Sequence, residues 1–106
     1  MQKKITKNKQ LLQITDKIKT HFNPQKIIVF GSYAWGKPTE DSDIDIFLIM
    51  ESNLRRDERA RQVQKIFSQR TFPLDVIVYT PEEVEQSLKR GNPFIREILN
   101  QGVLYE

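Results

Sequence analysis

The residues of this 106-residue chain best equipped for chemistry lie between Gly31 and Asp45, with one further acid, Asp75, downstream. Asp43 and Asp45 stand two apart at the head of the run Asp43-Ile44-Asp45-Ile46-Phe47-Leu48-Ile49-Met50. In a strand, side chains i and i+2 share a face, so both carboxylates project together while Ile44 and Ile46 pack on the other side. Two ionised carboxylates that close repel each other, and a divalent cation between them removes the conflict. All-oxygen ligands suit Mg²⁺ or Mn²⁺. Asp75 interrupts the apolar stretch Pro73-Leu74-Asp75-Val76-Ile77-Val78, an awkward place for an acid if that strand is a core strand. If this strand lies beside 43–50, three carboxylates converge, enough for one or two metals. Gly31-Ser32 follows Ile27-Ile28-Val29-Phe30 and reads as a strand-to-helix turn. Glycine there lets a phosphate approach the backbone, and free N–H groups and the Ser32 hydroxyl can donate to it. A carboxylate metal site beside a phosphate cradle is the equipment for nucleotidyl transfer from a nucleoside triphosphate.

Two other motif readings of the same segment fail. Gly31-x4-Gly36-Lys37 matches most of a P-loop, but Pro38 fills the Ser/Thr position and supplies neither a hydroxyl for Mg²⁺ nor an N–H for phosphate. Asp41-x-Asp43-x-Asp45 opens like a calcium loop. Ile46 and Ser52 then stand where an EF-hand needs glycine and a bidentate glutamate. Taken singly, an acidic loop before a strand and a Gly-Ser turn are ordinary surface features. Their combination with Asp75 favours a site.

These side chains need elements to hold them. Leu11, Ile14, Ile18 and Phe22 recur on one face of a helix that Asn23-Pro24 ends. Residues 27–30 are a short buried strand, and Ser32–Trp35 fit one helical turn. Residues 43–50 are a central strand. A helix is expected over 53–69, with Ala60, Val63, Ile66 and Phe67 towards the core and Asp57, Arg61 and Lys65 in a solvated ion-pair row. Leu74–Tyr79 is a third strand. Thr80-Pro81-Glu82-Glu83 starts a helix with a capping box, Gly91 ends it, and Asn92-Pro93 starts another. A short VLY segment follows Gly102. The order predicts one α/β or α+β domain over 1–106 with a small central sheet.

Composition sets the outer bounds. The chain carries 17 Lys+Arg against 14 Asp+Glu and no cysteine, so a disulfide frame and a thiolate zinc site are excluded. No apolar run approaches the ~20 residues of a membrane span and the polar start lacks a signal-peptide core, so a cytoplasmic protein without membrane association is expected. The charge is segregated: residues 1–30 are net +6, 31–50 net −3, 51–70 net +3 and 71–106 net −3. Surface lysines account for the basic balance, and direct nucleic-acid binding is not expected. The cluster Arg55, Arg56, Arg59 and Arg61 is read as a solvated helix face in preference to a surface for RNA or an acidic partner. His21, at a helix end, is read as structural, a mild dipole match.

With Phe30-Gly31-Ser32, ten intervening residues, Asp43-Ile44-Asp45 and the later Asp75, the chain resembles the nucleotidyltransferase superfamily that includes DNA polymerase β. It is most similar to the minimal nucleotidyltransferase branch. The resemblance has its motif core at about 26–80 and implies a polymerase β-like fold with a small mixed central sheet flanked by helices, ATP or another NTP as donor, and Mg²⁺. By resemblance, Gly31 and Ser32 bind the triphosphate, Asp43 and Asp45 bind metal, and Asp75 completes the site near the acceptor hydroxyl. Stand-alone members of this size resemble antitoxins paired with an all-helical HEPN ribonuclease toxin, onto a tyrosine of which AMP is transferred. The alternative of another class is a non-catalytic antitoxin or scaffold that neutralises its partner by binding. Many members read Gly-Ser-x-Ala-Arg-Gly after the strand, whereas Trp35 stands here in place of Arg. Trp35 is expected to pack in the core, and Lys37 reads equally as a nearby positive charge or a solvated lysine.

Overall fold

The computed structural model describes residues 2–3, 8–36, 38–39 and 41–105. The elements in chain order are β1 (Gln2–Lys3), α1 (Lys9–Phe22), β2 (Lys26–Phe30), α2 (Ser32–Trp35), β3 (Ile44–Ile49), α3 (Arg56–Lys65), β4 (Leu74–Tyr79), α4 (Pro81–Lys89), α5 (Pro93–Gln101) and β5 (Val103–Tyr105). The strands form one mixed sheet in the order β1-β5-β2-β3-β4. β2 runs antiparallel to β3 and β5, while β4 lies parallel to β3 and β1 parallel to β5. The terminal VLY segment is thus a sheet strand, paired with Ile27–Val29. The expected α+β architecture is found.

Strand alternation divides the core in two. Ile27, Val29, Ile44, Ile46, Leu48, Leu74, Val76 and Val78 face Leu11, Ile14 and Ile18 of α1 and Val63 of α3. Ile28, Phe30, Phe47 and Ile49 face Val84 of α4 and Ile95 and Ile98 of α5. Because β3 is buried on both faces, it reads as continuously apolar after Asp45.

Local chemistry explains the boundaries. Asn8 Oδ1 accepts from Leu11 N at 3.1 Å to start α1. Asn23, at φ 46°, closes it before Pro24, in the left-handed conformation that asparagine tolerates better than most side chains. The capping box of α4 forms as expected: Thr80 Oγ1 accepts from Glu83 N at 3.2 Å, and Glu83 Oε1 accepts from Thr80 N at 2.9 Å. Helix α3 is shorter than the expected 53–69. Beyond Lys65 the backbone tightens into i→i−3 bonds, from Ile66 N to Val63 O and Phe67 N to Gln64 O, which still bury Phe67. The Asp57–Arg61 pair forms at 3.0 Å.

The arginine cluster is not one solvated face. Arg59 is 6% exposed and binds Glu83 Oε1 at 2.6 Å, Glu83 Oε2 at 3.3 Å and the Leu54 and Val78 carbonyls at 2.8 and 3.3 Å. Arg56 stacks on the Tyr79 ring at 3.9 Å and reaches Glu83 at 3.5 Å. A guanidinium can be buried when its fork finds this many acceptors. The network ties α3 to β4 and α4. His21 is exposed, and its Nδ1 lies 2.9 Å from the Lys17 carbonyl.

Candidate active site

The site forms where the C-terminal end of β2 meets the N-terminal ends of β3 and β4. Antiparallel pairing sets Phe30 opposite Asp45, and parallel pairing sets Asp45 opposite Asp75. Paired residues share a face, so the Asp45 and Asp75 carboxylates adjoin on the α4/α5 side. Asp43, two residues before Asp45, joins them. One oxygen from each of Asp43, Asp45 and Asp75 lies within 4.8 Å of the others. The convergence expected from the sequence is present. The strand of Asp75 is not a core strand: β4 is the sheet edge, and Asp75 is exposed between buried Leu74 and Val76. An edge strand admits an acid that a central strand would reject.

Asp45 is half-buried. Burial first, then the facing carboxylates of Asp75 and Asp43, push its pKa from the ordinary 3.8 to about 6. The protein therefore holds three acids together at an electrostatic cost. An oxygen-only donor set this compact fits a hard divalent cation, which would lower that pKa again.

Gly31 follows Phe30 at φ 74°, a backbone region where side chains are strained. A methyl group there would also collide with the Asp45 carboxylate. The turn thus favours glycine, and any larger residue would also push the Asp45 carboxylate aside. The Gly31 carbonyl accepts from Ala34 N and Trp35 N, both at 3.0 Å, starting the one-turn α2 directly from the strand. Ser32, next to Gly31, opens α2, where the first N–H groups of a helix lack intrahelical partners. Lys37, and Glu40 of the acidic segment, lie outside the described residues. A groove of about 320 Å³ lined by Lys19, Lys26 and Tyr105 sits at the other end of β2, and no carboxylate lines it among the described residues.

Trp35 departs from expectation. It is 43% exposed, because a single helical turn leaves its ring beyond the core. It rests against Phe30 at 6.3 Å between centroids. Phe94, at the start of α5, meets the other side of this neighbourhood, its ring edge-on to Phe30 at 5.9 Å. Phe94 was not singled out from the sequence. Its one signal is the i,i+4 spacing to Ile98, which sets it beside the Ile95/Ile98 stripe that α5 buries.

Residues 11–105 match the family model described as "Nucleotidyltransferase domain". The chain belongs to this nucleotidyltransferase family. Among curated relatives, the Methanocaldococcus jannaschii protein named "Putative protein adenylyltransferase MJ0141" is 31% identical over 78 residues, covering 74% of this chain and 75% of its own. A second from the same organism, "Putative protein adenylyltransferase MJ1379", is 27% identical over 105 residues, covering 97% and 98%. No solved structure matches at a significant level. The fold and the acid triad agree with a nucleotidyltransferase, whose family generally uses a divalent metal and an NTP. Among the described residues, no helix is long and apolar enough to cross a membrane.

Proposed function

We propose that this nucleotidyltransferase moves AMP from ATP to a hydroxyl of a protein, a tyrosine of a helical HEPN ribonuclease toxin, and thereby acts as its antitoxin. The observation carrying the reading is the meeting of Asp43, Asp45 and Asp75 oxygens within 4.8 Å beside Gly31. The names of the two relatives support AMP as the transferred group and a protein as acceptor.

Asp43, Asp45 and Asp75 would hold Mg²⁺ or Mn²⁺. When bound, the metal supplies charge stabilisation for the attacking and leaving oxygens of an in-line displacement. Gly31 and Ser32 bind the β- and γ-phosphates through backbone N–H groups and the Ser32 hydroxyl. Asp75, on the open edge of the sheet, orients the acceptor hydroxyl and takes its proton. The acceptor oxygen bonds to the α-phosphorus, the bond from that phosphorus to the bridging oxygen breaks, and pyrophosphate leaves past Gly31.

The test is incubation with α-labelled ATP, Mg²⁺ and a candidate helical partner. Label should reach the partner with the natural chain and fall by at least about 100-fold with Asp43→Ala plus Asp45→Ala, and with Asp75→Asn. No transfer, or transfer untouched by the double change, removes the catalytic reading. Neutralisation that survives the double change makes the protein an antitoxin that works by binding alone.

A further inference from the structure

Trp35, Leu88 and Phe94 are the large hydrophobic side chains exposed among the described residues, and two of the three flank the candidate active site. Phe30 is 7% exposed and pairs directly with Asp45. Trp35 and Phe94, 43% and 46% exposed, both rest on that one ring. Apolar rings grouped at the rim of a polar site mark a place where a ligand completes the surface.

Resting on the nucleotidyl-transfer reading above, we propose that Trp35 and Phe94 form the stacking platform for the base of the donor nucleoside triphosphate. The layout of the sheet assigns this role. In that reading Gly31, just after β2, receives the leaving pyrophosphate and Asp75 on β4 the acceptor, with Asp45 on β3 between them. In an in-line displacement the entering and leaving oxygens are opposite each other across phosphorus. Both rings rest on Phe30, the residue before Gly31, so they border the donor end of that line and lie across the sheet from Asp75. An acceptor side chain docked on these rings would instead have to reach Asp75 two strands away, about 10 Å.

Stacking reads any flat base, and is strongest for purines, so ATP and GTP bind with similar affinity and both more tightly than CTP.

Trp35 is the sole tryptophan, so its fluorescence reports directly. Without acceptor and with Mg²⁺, a non-hydrolysable ATP analogue should quench it and inorganic tripolyphosphate should not. By calorimetry, Trp35→Leu and Phe94→Leu, which keep apolar cover over Phe30, should each weaken the analogue about tenfold and leave tripolyphosphate unchanged. Equal loss for both ligands, or for neither, overturns the platform while the nucleotidyltransferase stands. Unchanged analogue affinity with reduced transfer to the protein acceptor assigns the rings to acceptor docking and equally overturns it. If the natural chain binds neither ligand, the donor reading fails and the platform with it.

Discussion

Asp45→Asn separates two demands on one side chain, stability of the empty fold and capture of a cation. In the ligand-free protein, burial and then Asp75 and Asp43 raise Asp45 from 3.8 to about 6. Each tenfold in proton affinity is about 1.4 kcal/mol, so ionising Asp45 at neutral pH costs at most ~3 kcal/mol of folding stability. Asp45 is only half-buried, and solvent screening reduces the expected cost to ~1–2 kcal/mol. The native state binds this proton more tightly than the unfolded chain does. Stability therefore declines as pH rises from about 4 to about 6, then levels off. An amide of nearly the same shape cannot ionise. Without metal, the variant should be more stable than the natural protein by ~1–2 kcal/mol at pH 7.5, with the two converging below about pH 4. Saturating Mg²⁺ reverses the order. The natural protein gains about 2.7 kcal/mol when metal is at 100 times its dissociation constant, and the variant gains little. Urea unfolding monitored by circular dichroism at pH 4, 6 and 7.5, with EDTA or Mg²⁺, reads all of this. A variant less stable than the natural chain in EDTA at pH 7.5, or one stabilised equally by Mg²⁺, refutes the account of the site.

Two further outcomes follow from neighbouring contacts. Gly31→Ala places a methyl against the Asp45 carboxylate at a positive φ. It should cost ~1–3 kcal/mol by urea unfolding and weaken Mg²⁺ binding at least about tenfold by calorimetry; a variant with natural metal affinity removes the argument for glycine. Glu83→Ala strips the partner from buried Arg59 and should cost ~2–4 kcal/mol by the same unfolding measurement, the partial exposure of Glu83 discounting the full buried-pair value. The Arg59 hydrogen bond first, aided by the Thr80 N–H and the charges of Arg59 and Arg56 and opposed by burial, holds Glu83 down from 4.5 to about 2. Its stabilisation is complete above about pH 4.5 and disappears as pH falls through about 2. An acid-unfolding midpoint unmoved by Glu83→Ala contradicts this role.

The elements and the chemistry were legible along the chain because they are local. Periodicity places Leu11, Ile14 and Ile18 on one helix face, Thr80-x-x-Glu83 encodes its own capping box, and alternation alone puts Asp43 and Asp45 on the same side. The apolar run around Asp75 announced a strand, but not which strand it would neighbour. Strand order and register are collective: they follow from how all the apolar faces can be covered at once. Only the assembled sheet set Asp75 opposite Asp45, made β4 an edge that tolerates an exposed acid, and raised the Asp45 pKa through its neighbours. The same holds for Arg59, a helix-surface residue by local pattern that is buried because Glu83 and two carbonyls meet it. Trp35 and Phe94 are 59 residues apart by their numbers and share Phe30 only after α5 folds back over β2. Residue types and short spacings named the chemistry, whereas distances between charges, and so the strength of the site, depended on contacts between segments remote in the chain.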